Sequence, residues 1–412
     1  MNTKSSAQRA ASSFDSMSVR ADFPVFAQHP KLVFLDSAAS AQKPQAVIDA
    51  MKTAMTNYAN VHRGVYGLSQ NMRAAYEAGR ETVAACIKAE KEEIVCTRNA
   101  TESINLVAAS WGTANLKAGD EILITELEHH ANIVPWQMIA EKTGARLVVA
   151  PITKNGDVLA SDVIAKMTPR TKMVAVSHMS NVLGTILPVA EIIAAAKKIG
   201  AATLVDGCQA VVHQPIDVHA LGCDFYVFSG HKLYGPTGIG VLYGRKEILN
   251  AIPPYMGGGD MIDTVTFDKT TYKQAPSRFE AGTPAFVEAI GLAAAIDYLQ
   301  QWPMGEIARY ESEIYAYAYT QLKAMDGIQL YGHAMKRAGI LCFTCDWGHA
   351  TDIAMILDKE NIALRVGHHC AMPLMQVLGV TATLRASIGM YTTMADIDAL
   401  LAGLQKAKRM LA

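Results

Sequence analysis

Asp224-Phe-Tyr-Val-Phe-Ser-Gly-His-Lys-Leu-Tyr-Gly-Pro-Thr-Gly238 is the stretch on which the fold of this chain turns. Asp224–Phe228 has the length and composition of a buried strand. It runs into a loop with Ser229, His231 and Lys232, after which glycines and a proline turn the chain. Lys232 is an ammonium in an apolar neighbourhood. Desolvation there lowers a lysine pKa and frees the amine as a nucleophile, as a Schiff-base lysine requires. Ser229 and His231 can hydrogen-bond a phosphate beside it. The plainer alternative is a solvated lysine after a strand, and this segment alone does not separate the two.

Outward from that loop, short apolar runs alternate with helical stretches between Leu32 and about Gly244. Leu32–Asp36, Glu93–Thr97, Glu121–Thr125, Arg146–Ala150, Lys172–His178, Ala202–Asp206, Phe225–Phe228 and Ile239–Tyr243 read as buried strands. Pro44–Tyr58, Met72–Ala89, Thr101–Trp111, Trp136–Lys142 and Val189–Ile199 read as helices. The alternation predicts an α/β domain on a mostly parallel sheet, which binds ligands at the carboxyl ends of its strands. The pattern changes after the Gly- and Pro-rich Pro253–Gly259. Two long helices, Ala285–Gln301 and Gly305–Met325, lead into strand–helix units and a last helix, Met394–Met410. The expected organisation is a loose tail over 1–18, a segment over 19–31 packing on a small domain, a large domain over 32–299 and a small C-terminal domain over 300–412.

Length and composition bound the function. The 412 residues allow a large core, half of them are apolar, and the formal net charge of -1 gives no reason to expect nucleic acid or an anionic membrane surface. No apolar run is long enough to span a bilayer, and Met1–Ser18 lacks the apolar core of a secretory signal, so a cytoplasmic location is expected. The seven cysteines are odd in number and scattered, unlike a disulfide framework. Cys342-Phe-Thr-Cys345 has the spacing of a redox or metal pair. In a strand, though, that spacing sends the side chains to opposite faces, and no second pair completes a zinc site. Packed free thiols are expected there, and no metal site.

Other segments add chemistry. Thr203-Leu-Val-Asp206-Gly-Cys-Gln209 ends a strand in a carboxylate, which can pair with a pyridine nitrogen and make its ring an electron sink. An Asp in a strand–helix turn is also an ordinary cap. Gln209 can donate to a ring hydroxyl. Cys96-Thr-Arg-Asn-Ala-Thr101-Glu-Ser-Ile-Asn105 joins a strand to a helix N-terminus, where free N–H groups and the Thr101 hydroxyl can bind a phosphate or merely cap the helix. In Glu126-Leu-Glu-His129-His130-Ala-Asn132, an imidazole after a strand can stack on a ring and exchange protons. Leu364-Arg-Val-Gly-His-His-Cys370-Ala-Met-Pro373 sets one cysteine beside two histidines and Arg365, neighbours that favour a nucleophilic thiolate. Arg385, in the apolar run Ala382–Tyr391, needs an anionic partner, either a substrate carboxylate or an internal carboxylate.

With these segments in hand, the sequence resembles the group II, Suf-type cysteine desulfurases (the SufS and CsdA kind), class-V aminotransferases of the fold-type I pyridoxal-phosphate enzymes. The resemblance runs from about Arg20 to the C-terminus. It rests on Phe34-Leu-Asp-Ser-Ala-Ala-Ser-Ala-Gln-Lys-Pro44, Val61-His-Arg-Gly64, Glu128–Trp136, Ser180-Asn-Val-Leu-Gly-Thr185, Asp224–Gly240, Arg278-Phe-Glu-Ala-Gly-Thr-Pro284 and Arg365–Pro373. It implies a large domain with a mostly parallel seven-stranded sheet and a smaller α+β C-terminal domain. It implies pyridoxal 5'-phosphate held as a Schiff base by Lys232, with Asp206 on the ring nitrogen, Gln209 on the phenolic oxygen and His129 stacked on the ring. Thr101, Ser229 and His231 bind the phosphate, joined by Thr283 from a second subunit of a homodimer. Asn181 and Arg385 bind the carboxylate of L-cysteine, while His62 and Arg365 line the pocket. Cys370 takes the sulfur as a persulfide and passes it to an acceptor of the SufE or SufU kind for iron–sulfur cluster assembly. Ala100 departs from the family, many members of which carry Thr there; the backbone N–H remains. Selenocysteine lyase is the alternative on the same scaffold. An aminotransferase or epimerase would have no use for Cys370, and a catalytically dead sulfur carrier would lack a site residue, which this chain does not.

Overall fold

In the computed structural model, residues 14–411 are described. β-branched and aromatic runs with few polar positions form strands buried on both faces. A two-residue strand β1 (Val33–Phe34) comes first, followed by β2 (Ile94–Thr97), β3 (Glu121–Thr125), β4 (Arg146–Ala150), β5 (Thr171–Ser177), β6 (Ala202–Asp206), β7 (Phe225–Ser229) and β8 (Gly240–Gly244). Strands β2 to β8 make one seven-stranded sheet in the order β2-β8-β7-β6-β5-β3-β4. The five strands from β7 to β4 are parallel, and β8 runs antiparallel to both its neighbours. Helices Gln45–Thr56, Gly67–Cys86 and Phe286–Leu299 pack together beside the sheet.

An exposed hairpin, β9 (Ile262–Val265) with β10 (Thr270–Tyr272), carries the fully exposed Phe267 at its turn. Its polar strands had no apolar signal in the sequence. Beyond it, β11 (Ile328–Tyr331), β12 (Ile340–Cys345), β14 (Arg365–Gly367) and β15 (Thr383–Ser387) form an antiparallel sheet in the order β11-β12-β15-β14, with β13 (Ile362–Ala363) beside it. Helices Met304–Lys323, Ala350–Lys359 and Met394–Leu411 close a second apolar cluster around Leu341, Phe343, Ile353 and Leu404. Helix Phe286–Leu299 packs in the first cluster, while Met304–Lys323 gives Ile307 to the first and Ile314, Ala318 and Leu322 to the second.

Two expectations need correction. Leu32–Asp36, expected to open the large domain, belongs to the smaller unit. There β1 pairs in parallel with β13, Asp36 bridges to Ser387, and Val33 and Leu35 are buried in the second cluster. Period-2 burial fixes a strand's faces and leaves its partner open. The loose tail expected through Ser18 does not cover residues 14–18. Phe14 packs on Trp302 and Tyr310, and a helix capped by Asp15 begins at Ser16. Residues 1–13 of that expected tail lie outside the described residues. The following segment ties both units together: Arg20 donates to the Leu32 and Tyr391 carbonyls and pairs with Asp396, while Phe23 packs between Tyr234, Tyr298 and Tyr391.

One contact links the sheet to the first helix of the site. A Cβ on Gly240 would lie 2.4–2.8 Å from the backbone of Asn99, the residue that caps helix Ala100–Val107. Backbone cannot rotate away as a side chain can. Gly240→Ala is expected to lower stability by at least ~2 kcal/mol in chemical denaturation. Gly257→Ala, where a Cβ meets nothing within 4 Å, should change it little. Equal effects in the two variants would contradict this packing.

Candidate active site

The carboxyl ends of β5, β6 and β7 lie side by side, with Ser177 in register with Asp206, and Asp206 with Val227. Together with the N-terminus of helix Ala100–Val107 they floor a cavity of about 290 Å³. Lys232 ends a single 3-10 turn directly after β7. The His231 carbonyl accepts from the Ala41 N–H and from Lys43 Nζ, both at 3.0 Å, and Gly230 pairs with Ile239, so the loop is fixed at both ends. Asp206 is buried at the tip of β6, where Oδ1 accepts from the Cys208 N–H at 3.0 Å. Gln209, one turn on, donates through Nε2 to the Ala38 carbonyl at 2.8 Å. Ser229 Oγ accepts from the Ala100 N–H at 2.9 Å, which joins the end of β7 to the helix start beside Thr101.

His129 follows β3. Its Nδ1 accepts from the Ala131 N–H at 3.0 Å, which leaves the ring proton on Nε2. Burial, with Lys232 next in effect, pushes His129 down to about 4, so the ring is neutral at pH 7. Its neighbour Glu128 is fully enclosed and accepts from Thr125, Asn132 and both the backbone and hydroxyl of Ser177. That cluster ties the His129 loop to β5. His130 does not line the cavity. It faces His368, with ring centroids 5.5 Å apart, and accepts from the Met372 N–H.

The other wall comes from the smaller unit. His369 and Cys370 are consecutive left-handed residues, with φ of 52° and 56°. Three contacts hold them there. Asn181 Nδ2 donates to the His369 carbonyl at 2.8 Å, the His130 N–H to the Cys370 carbonyl at 2.7 Å, and the Cys370 N–H to His368 Nδ1 at 3.2 Å. Cys370 is the one exposed cysteine of the seven, none of which is in a disulfide. Burial pushes the other six thiols up, to about 11 for Cys86 and Cys96 and about 12 for Cys208, Cys223, Cys342 and Cys345. Arg365 and Arg385 reach the same cavity, and both pair with Asp36.

All the residues singled out from the sequence therefore meet at this cavity except His62 and Thr283. Thr283 lies 3.4 Å from Asn60, and His62 faces Asp260 at 3.4 Å, on a separate part of the chain's surface. Asp36 was missed as a site residue. Its only sequence signal was a carboxylate closing the run Leu32–Asp36.

The donor set suits a phosphorylated pyridine aldehyde. It combines a primary amine for the aldehyde, a buried carboxylate for the ring nitrogen and a neutral imidazole for the ring face. Hydroxyls and a helix N-terminus are available for the phosphate. Residues 33–400 match the family model described as Aminotransferase class-V. A cysteine desulfurase of Klebsiella pneumoniae (strain 342) is 52% identical over 399 residues, covering 95% of this chain and 98% of its own. The crystal structure of the cysteine desulfurase CsdA (S-sulfonic acid) from Escherichia coli superposes with a TM-score of 0.92 at 41% identity, covering 97% of this chain and all of that one. A variant of C-DES with glycine covalently linked to its PLP cofactor matches at 27% identity and a TM-score of 0.80, covering 93% of this chain and 98% of that one.

Burial also holds His178 and His231 down at about 4 and His369 at about 3. Together with His129 these rings stay neutral in the folded protein but protonate near 6.5 once unfolded. Their stabilisation is present above pH 6.5 and is lost as pH falls towards 4, by ~1.4 kcal/mol per pH unit for each group. Glu128, pushed up to about 7 by burial, acts in the opposite sense over 4.5–7 and offsets one of the four. Denaturant unfolding of the cofactor-free protein is expected to show clearly lower stability at pH 5 than at pH 7. Equal stability at the two pH values would contradict neutral buried rings.

Proposed function

The chain belongs to the class-V aminotransferase family, among its cysteine desulfurases, and from that membership we propose how its cleft works. The enzyme converts L-cysteine to L-alanine with pyridoxal 5'-phosphate as cofactor. When bound, the cofactor supplies an electron sink for the pair left on the substrate Cα after deprotonation.

The chain's own residues do the rest. Lys232 Nζ is the attachment point and, once released, takes the proton from the substrate Cα. Asp206 keeps a proton on the ring nitrogen, Gln209 contacts the phenolic oxygen, and the neutral His129 covers the ring. Thr101, Ser229 and His231 hold the phosphate. Asn181 and Arg385 orient the substrate carboxylate, and Arg365 lines the pocket beside them. Cys370 Sγ attacks the substrate sulfur; the Cβ–S bond breaks as the S–S bond forms, leaving a persulfide on Cys370. The supporting observation is that the one exposed thiol and the lysine line the same cavity.

The persulfide passes to a small acceptor protein that reaches Cys370 at the cavity mouth, and iron–sulfur cluster assembly uses the sulfur. The protein works as a homodimer in which Thr283 and His62 of one chain complete the partner's cavity. In support, both residues lie away from the cavity of their own chain. Among the described residues no helix is long and apolar enough to cross a membrane, and the cytoplasm is the proposed location.

Alanine release from cysteine, followed with absorbance of the bound cofactor, tests the reading. Lys232→Ala should lose covalent cofactor attachment and at least ~10³-fold in alanine formation. Cys370→Ala should keep the cofactor absorbance and lose sulfide release in the presence of a reductant. A Cys370→Ala enzyme as active on cysteine as the wild type would overturn the persulfide step.

A further inference from the structure

The backbone that carries the Cys370 thiol runs through His369, and His369 is held from two sides. It is buried and keeps a left-handed φ of 52°. Its carbonyl is tied to the large unit by Asn181 Nδ2. Its ring is tied to the smaller unit, where Nε2 lies 2.9 Å from the Thr383 hydroxyl. Nδ1 has no hydrogen-bond partner among the described residues, so Thr383 is the ring's single polar tether. Strand pairing puts the hydroxyl there. In the antiparallel pair of β14 and β15, Thr383 stands opposite Gly367, the last residue of β14 before the Cys370 loop. Thr383 is fully buried, and Cys342 Sγ meets the same hydroxyl at 3.2 Å.

Valine has the shape of threonine without the hydroxyl. Thr383→Val would therefore cut the tether and leave His369 Nε2 buried without a partner, a costly state that the ring can escape only by turning. A turning ring disturbs the peptide bond it shares with Cys370. The two successive left-handed residues persist only while their surroundings hold both. From this geometry, and resting on the cysteine-desulfurase reading above, we propose that Thr383 is a positioning residue for sulfur transfer. It does not line the cavity. Through the His369 ring it fixes the Cys370 backbone so that Sγ meets the sulfur of a substrate already bound. Substrate binding itself does not use the tether, because Asn181 and Arg385 orient the carboxylate.

Three measurements on the pyridoxal-phosphate-loaded enzyme separate this role from plain packing. They are calorimetric binding of L-alanine, single-turnover persulfide formation on Cys370, and amide hydrogen exchange of the peptide over 367–372 without substrate. Thr383→Val should bind alanine as the wild type does, form the persulfide at least about tenfold more slowly and exchange faster over 367–372. Thr383→Ser, which restores the hydroxyl, should form it within about twofold of the wild-type rate. His369→Phe keeps a ring without the acceptor and should show the same slowing, to which Thr383→Val adds nothing further. Should Thr383→Val fail to fold, the His369→Phe rate decides alone. Wild-type persulfide formation in folded Thr383→Val, or a loss of alanine binding that matches the loss of rate, would overturn the proposal and leave Thr383 a packed strand residue. A wild-type enzyme that makes no alanine from cysteine would sink the proposed function instead, while exchange over 367–372 would still test the tether.

Discussion

Everything in the cleft depends on parallel strands that end together. Backbone pairing of β5, β6 and β7 brings Ser177, Asp206 and the loop after Ser229 to one edge. Strands buried on both faces hold that edge rigidly. Polar side chains there are cut off from bulk water, so each needs a partner or a neutral form. Glu128 solves this by accepting four hydrogen bonds, and His129, His231 and His369 by staying neutral. Carboxyl ends of parallel strands are where such sheets gather ligands, and here they gather an amine and a carboxylate suited to one ring.

The smaller unit contributes what the sheet cannot. Left-handed backbone at two successive residues with side chains costs on the order of 1 kcal/mol or more each, and it persists only where surroundings enforce it. At His369 and Cys370 the enforcing contacts, from Asn181 and His130, come from the large unit across the cleft. The thiol is thus held by hydrogen bonds to its backbone while its sulfur stays exposed. That combination suits a group that must first meet the substrate and then hand its cargo outward.

Much of this was legible in the sequence, because strands and strand-end chemistry are local. The loop at Lys232, the carboxylate at Asp206 and the cysteine among histidines each announce themselves within about ten residues. What was not legible depends on distant pairing. The run Leu32–Asp36 reads clearly as a strand, yet nothing local says that it joins β13 in the smaller unit. Asp36 meets Arg365 and Arg385 across more than three hundred residues of chain. In isolation, Arg385 pointed equally to an internal carboxylate and a substrate carboxylate. The internal partner is present in the structure as Asp36. Thr101 opens no simple long helix either. Ala100–Val107 passes through a π turn at Ala108–Gly112, which apolar periodicity does not distinguish from regular helix.

The central claim is that sulfur leaves cysteine and lands on Cys370 through chemistry that needs Lys232. Peptide mass spectrometry of the protein after a brief anaerobic exposure to L-cysteine tests it directly. The account predicts a mass increase of one sulfur atom on the Cys370 peptide of the wild type, absent from Lys232→Ala. An added sulfur on a different cysteine, or one on Cys370 that persists in Lys232→Ala, would contradict it.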